Sequence, residues 1–131
     1  MAAPNIVNVA TITGITTFVA GISTISITTG VSTIVTNAAS SGKVIKINSL
    51  VATAIGDTTG VSVQLYNSGA QHTAAGATVS LASTMTVPVF SSLAVIDKTN
   101  SIYLEEGHQI GCTAQSNAGT IDIVCSYEDI S

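Results

Sequence analysis

Residues 108–131 read HQIGCTAQSNAGTIDIVCSYEDIS, and they hold both cysteines of the chain, Cys112 and Cys125. Apolar and polar residues alternate on both sides of a turn-like segment, NAGT at 117–120. A period of two with β-branched residues is typical of half-buried β-strands. The stretch therefore predicts two strands that pair as an antiparallel hairpin around the turn.

One register of this hairpin separates apolar from polar side chains. If the numbers of paired residues sum to 237, Cys112 lies opposite Cys125, and Ile110, Ile123 and Tyr127 share their face. A shift by one residue would set apolar side chains against polar ones throughout. The pattern thus predicts a buried cross-strand thiol pair. Burial makes a thiol unreactive, and a disulfide between directly opposed strand residues is usually strained, so two free thiols are favoured over a disulfide.

A metal site at the cysteines would need two further ligands. His108 shares the predicted cysteine face, but it lies four residues from Cys112, which is about 13 Å along an extended strand. His72 lies in a polar turn without an acidic or thiol neighbour. We therefore expect the cysteines to belong to the core and to bind no metal.

The same alternation continues through the rest of the chain. Val61, Val63 and Leu65 alternate with polar residues, and residues 79–89 repeat the pattern. Turn-like segments separate these runs: AASSG, GDTTG, NSGAQ, DKTN and EEG. A chain of 131 residues is long enough for one core and short enough for one domain. The predicted fold is a single all-β domain over residues 1–131, an antiparallel β-sandwich or a jelly-roll-like domain.

Charge is scarce in this chain. Only 8% of residues are charged, against roughly 25% in an average globular protein. Such a surface suits a protein whose flanks are buried against copies of itself or a partner, although hydroxyl groups could also keep a monomer soluble. The net charge of −4 and the absence of arginine argue against nucleic acid as a partner. No apolar run is long enough to span a bilayer, so no membrane partner is expected. The first residues lack the pattern of a signal peptide, so we expect a cytoplasmic origin and reduced cysteines.

The first 42 residues carry no charge, and the phrase TGITTFV at 13–19 recurs as TGVSTIV at 29–35. The simpler interpretation is a set of short strands within the domain, each opened by a glycine turn. A second hypothesis is that residues 1–42 form an arm that packs on neighbouring subunits. The candidate contact residues are the apolar side chains of 12–35 and two lysines at the rim: Ile12, Ile15, Phe18, Val19, Ile22, Ile25, Val31, Ile34, Lys43 and Lys46.

The sequence contains few residues or motifs that could carry out catalysis. Glu105 and Glu106 are adjacent at a turn, so their carboxylates point in different directions and do not converge on a cleft. The segment DKTN at 97–100 has too few carboxylates for a recognisable calcium loop. None of the common hydrolase, metalloprotease or nucleotide-binding motifs occurs. We therefore predict that the chain is not an enzyme and uses no cofactor.

Three stretches carry a resemblance to a known group of proteins. MAAPNIVNVATITG at 1–14, NAASSGKVIKINSLV at 37–51, and the close formed by SIYLEEGHQI at 101–110 and IVCSYEDIS at 123–131 resemble small virion structural proteins of marine cyanophages, especially those with contractile tails. The resemblance implies a virion component that assembles in the host cytoplasm and needs no cofactor.

Within a virion, a small, acidic, charge-poor β domain fits a capsid decoration or cement protein. Such a protein would form a trimer or another homo-oligomer and bind the major capsid protein or other virion proteins. One alternative is a neck, tail or fibre component. An alternative of another class is a jelly-roll module that binds a host glycan or protein, but the chain has only five Phe and Tyr residues and no Trp for stacking on sugars.

Overall fold

The computed structural model describes residues 9–22, 32–67, 78–114 and 119–131. These residues form nine β-strands and one short 3-10 turn, Lys98–Asn100, with no α-helix among them. The strands are β1 (Ile12–Ile22), β2 (Ser32–Thr36), β3 (Val44–Ile55), β4 (Thr59–Asn67), β5 (Thr78–Val87), β6 (Ser92–Ile96), β7 (Ile102–Leu104), β8 (His108–Ala114) and β9 (Thr120–Ile130).

The strands form two sheets, and every pairing between named strands is antiparallel. The first sheet has the order β1-β9-β3-β6, and β7 also pairs with β3. The second sheet has the order β2-β8-β4-β5. The two sheets pack together around one core, so the prediction of an all-β sandwich is confirmed.

The core lies between the sheets and is made of alternate residues from each strand. On β9 the inward residues are Ile121, Ile123 and Cys125, and on β4 they include Val61 and Val63. All five are fully buried. Because each buried aliphatic side chain contributes about 1.5–3 kcal/mol relative to exposure, these inward rows supply most of the stability of the fold.

The predicted hairpin of the last two strands is wrong. β8 pairs with β2 and β4 in the second sheet, whereas β9 pairs with β1 and β3 in the first. Cys112 lies opposite Val63, and Cys125 lies opposite Leu50. Alternation reports only which face of a strand is apolar, and strands on opposite sides of a sandwich both turn their apolar faces to the same core. Both thiols are nevertheless free and buried in that core, but as members of opposite sheets.

The uncharged N-terminal part supplies one strand to each sheet. β1 pairs with β9 at the edge of the first sheet, and β2 pairs with β8 at the edge of the second. The two similar phrases at 13–19 and 29–35 therefore reach different sheets, although residues 29–31 lie outside the described part of the chain. Residues 1–8 and 23–31 also lie outside it, and the arm hypothesis for 1–42 stays a prediction.

Candidate interaction surface

A row of apolar side chains crosses the outer face of the first sheet. Phe18 on β1 lies opposite Val124 on β9, Val124 lies opposite Val51 on β3, and Val51 lies opposite Ala94 on β6. We call these four residues the apolar row. They point away from the core because their neighbours along each strand point into it. Phe18 is 75% exposed and Val124 is 47% exposed, so the row presents unusually large apolar groups to solvent.

Polar side chains lie on both sides of the apolar row. Asp122 accepts a hydrogen bond of 2.8 Å from the backbone N–H of Gly21, and the hydroxyls of Thr53 and Ser92 lie 3.0 Å apart. The two flanking rows, read across the strands by register, are Thr16, Ser126 and Ser49 on one side and Asp122, Thr53 and Ser92 on the other. An apolar strip with a hydroxyl-rich rim has the layout of a protein-protein contact: a dry centre with a polar border.

The β1 edge adjoins this row, and it is the most regular edge of the described sandwich. Its register with β9 runs without a break from Ile12 to Val19. The residues of β1 include no charge and no proline. By contrast, β2 and β6 have five residues each and a register shift, and β7 has three residues. β5 has two register shifts and a positive φ of 51° at Thr84. Short or bulged edges resist the addition of a further strand, so β1 is the edge best able to accept one.

The predicted contact residues divide into three groups. Phe18 and Ile12 are exposed, the latter by 59%, while Ile15 and Val19 are partly buried on the same strand. Ile22 and Ile34 lie in the protein's own core, so their assignment to a contact surface is wrong. A register shift precedes Ile22 on β1 and another lies at Ile34 on β2, and alternation in the sequence reveals neither. Ile25 and Val31 lie outside the described residues.

The two predicted lysines lie at one end of the first sheet. The Nζ of Lys43 is 3.0 Å from Oδ2 of Asp129. Lys46 lies on β3 between Glu128 of β9 and Tyr103 of β7. An exposed ion pair of this kind contributes about 1 kcal/mol or less. The lysines therefore form a charged border to the outer face and are already next to carboxylates of the same chain.

A buried asparagine, which the sequence pattern did not single out, organises the adjacent loops. The side-chain amide of Asn37 donates to the carbonyls of Lys43 (2.9 Å) and Leu104 (3.0 Å), and its Oδ1 accepts from the Ser41 hydroxyl (2.6 Å). Its backbone N–H donates to His108 O, and its carbonyl accepts from another loop N–H. The only available signal was an Asn directly before the turn-like segment AASSG.

Both acidic turns considered in the sequence have structural roles. Oε1 of Glu106 accepts a 3.0 Å hydrogen bond from Gly42 N–H, which ties two loops together. The Asp97 carboxylate accepts hydrogen bonds from the hydroxyl (2.6 Å) and the N–H (2.9 Å) of Thr99. These bonds lower the pKa of Asp97 below its usual value. Asp97 therefore caps the turn Lys98–Asn100.

The outward side chains of β4 are buried, contrary to the expectation from alternation that this strand is buried on one side only. Gln64 is 1% exposed, and neither its Oε1 nor its Nε2 has a hydrogen-bond partner among the described residues. Nearby, the hydroxyls of Thr33 and Tyr66 lie 2.7 Å apart. A pattern of polar residues cannot show that a polar face is covered, because coverage depends on chain that is distant in sequence.

The described residues offer little reactive chemistry. Burial raises the pKa of Cys112 to about 12 and that of Cys125 to about 11, so both remain protonated thiols at neutral pH. Within the described ranges, no group of His, Cys, Asp and Glu is arranged to hold a metal ion. No helix in those ranges is both long enough and apolar enough to cross a membrane.

Comparisons with known proteins do not assign the chain to a family. No protein family, no curated protein and no solved structure was found that matches it. Among the described residues, the apolar row and the β1 edge form the most distinctive candidate interaction surface.

Proposed function

We propose that this chain is a virion structural protein that acts as a capsid decoration or cement protein, stabilising the head through protein-protein contacts. The observation that carries the proposal is the apolar row beside an uncharged edge strand, in a chain with only 8% charged residues. The resemblance to small cyanophage virion proteins supports the same assignment. The partners would be further copies of the chain and the major capsid protein or other virion proteins.

The mechanism follows from burial of the apolar row. Complete burial of a Phe side chain is worth about 1.5–3 kcal/mol. Since Phe18 is 75% exposed, its burial in a contact would contribute about 2 kcal/mol. A symmetric shell repeats the same contact at every equivalent position, so a modest term per copy becomes large for the particle. No cofactor or bond-forming step is required.

The number of copies of this chain per particle distinguishes its possible locations in the virion. Quantitative mass spectrometry of purified particles would give the amount of this chain relative to the major capsid protein. A decoration protein requires hundreds of copies per particle, whereas a neck or tail ring requires about a dozen. Ring-like stoichiometry would replace the head assignment by a neck, tail or fibre role. If the chain were absent from the particle, a structural role would be contradicted. A module that binds a host glycan or protein would then be the leading hypothesis.

A pair of variants tests the surface. Phe18→Ser removes the most exposed member of the apolar row, and Phe90→Ser removes an equally exposed Phe (77%) from a loop outside it. Binding to particles that lack the chain should weaken about tenfold or more for Phe18→Ser, since about 2 kcal/mol of burial is lost. Phe90→Ser should bind normally. Equal effects of both variants would show that the contact does not use the apolar row.

A further inference from the structure

We propose that two copies of this chain associate through their β1 edges, antiparallel and related by a two-fold axis, so that their first sheets become one continuous sheet. The inference concerns a partner and a contact that the decoration role does not specify. It stands on edge geometry, charge and register, and it does not rest on the proposed function.

The geometry of the sheet edges identifies β1 as the strand that can pair with a further strand. β1 has eight residues in unbroken register with β9, Ile12 to Val19, and its far side pairs with no other described strand. The strand is uncharged and contains no proline. A long, regular and uncharged edge presents a row of backbone N–H and C=O groups that a further strand can pair with. The other described edges are short or interrupted by register shifts.

The charge distribution permits a second copy as the occupant. The chain carries a net charge of −4, which would ordinarily oppose self-association. On the first sheet, the nearest carboxylates to the edge lie on β9, one strand behind β1. In the proposed dimer the two β9 strands are three strand spacings apart, about 14 Å, which exceeds the screening length of about 8 Å at physiological salt. Two uncharged edges can therefore meet without close repulsion between like charges.

Side-chain register supports an antiparallel two-fold arrangement. A continuous sheet needs the outer residues of one β1 to lie beside the outer residues of the other. When the numbers of paired residues sum to 32, Thr16 lies on the axis and Phe18 lies opposite Gly14 of the second copy. A Cβ built on Gly14 would meet nothing within 4 Å, so the space above this glycine is open. An aromatic side chain that covers a glycine on a neighbouring strand is a known way to stabilise such a pair. The two apolar rows would then lie on one face.

The size of the contact sets its strength. Seven paired residues, 13–19, span about 24 Å of a sheet about 10 Å thick, so each copy would bury roughly 240 Å². The total of roughly 500 Å² lies well below the 1,200–2,000 Å² of stable complexes. We therefore expect a weak dimer, populated at on the order of 1 mM chain and dissociated at about 10 µM. Copies held side by side on a larger assembly would associate more readily, because their effective concentration is high.

Sedimentation velocity of the full chain between about 10 µM and 1 mM tests the association. The wild type should shift from monomer to dimer over this range. Thr16→Lys places two like charges at the axis and should weaken the dimer about tenfold. Thr86→Lys adds the same charge to an exposed position on β5, and it should dimerise like the wild type. A wild type that stays monomeric at about 1 mM, or equal dimerisation of Thr16→Lys and the wild type, would overturn the proposal.

Thiol cross-linking checks the geometry independently of affinity. The two native cysteines are buried and free, so a single cysteine introduced at the surface is the reactive one. A short bismaleimide linker, which does not need the strained disulfide geometry of opposed strand residues, should convert Thr16→Cys into a covalent dimer and leave Thr86→Cys monomeric. Circular dichroism should show native β content for both variants. Cross-linking of Thr86→Cys but not of Thr16→Cys would place the contact on the other sheet and refute the assignment to β1.

Discussion

Replacing Gln64 by methionine should stabilise this protein. Gln64 is 1% exposed, and both polar atoms of its side chain lack a hydrogen-bond partner among the described residues. A buried polar group without a partner costs about 1–3 kcal/mol in desolvation. Methionine has a similar length and shape and no group that needs a partner, so Gln64→Met should raise the free energy of unfolding by about 1–3 kcal/mol.

Urea denaturation monitored by circular dichroism measures this effect directly. The midpoint should rise while the dependence on urea stays constant, because the variant changes stability and not the surface exposed on unfolding. The melting temperature should rise by roughly 3–10 °C for a domain of this size. Gln109→Met on β8 is a matched control, since Gln109 is only partly buried and lies beside Tyr66. That change should be close to neutral.

A loss of stability in Gln64→Met would contradict the assignment of the Gln64 amide as an unpartnered buried group. If Gln64→Met lowered stability by 1 kcal/mol or more, the Gln64 amide would have to make hydrogen bonds in the folded protein. The buried polar side chains of β4 would then form a satisfied network and not a stability cost.

Three further predictions follow from the buried groups and the ion pair. Cys112 and Cys125 should not react with thiol reagents in the native state. Their pKa values are raised to about 12 and about 11, so the free energy of unfolding should fall above pH 9. The unfolded thiols ionise from about pH 9 while the folded ones keep their protons. Urea denaturation at pH 10 should therefore show a loss of about 1.4 kcal/mol in the free energy of unfolding for each thiol. A constant free energy of unfolding between pH 8 and 10 would contradict this. Asn37→Ala should cost about 2–4 kcal/mol, because two loop carbonyls lose their donor, and a change below about 0.5 kcal/mol in thermal denaturation would refute its role. Lys43→Met should cost about 1 kcal/mol or less, with the effect shrinking in high salt, since its ion pair with Asp129 is partly exposed; a larger, salt-independent loss would show a buried role.

Some features of the candidate surface could be anticipated from the residues, and others could not. The apolar residues of the uncharged N-terminal part are predicted to be contact surface; Ile12 and Phe18 are exposed, and the contact itself stays a prediction. Ile22 and Ile34 were assigned to the same surface, but both lie in the core, next to register shifts of their strands. The apolar row could not be predicted, because it joins residues from four strands whose order is absent from any local pattern.

Alternation in the sequence predicts strands and their apolar faces, because a period of two with β-branched residues is a local property of the chain. It also predicts that both cysteines are buried, since they share the apolar parity of their strands, and free thiols are favoured over a disulfide; both cysteines are buried and free in the structure. Local patterns could not show that these cysteines lie in opposite sheets, that Gln64 is buried, or that β1 is a regular edge. Strand order and burial depend on contacts between distant segments, and two strands facing across a core have the same alternation as two strands paired side by side.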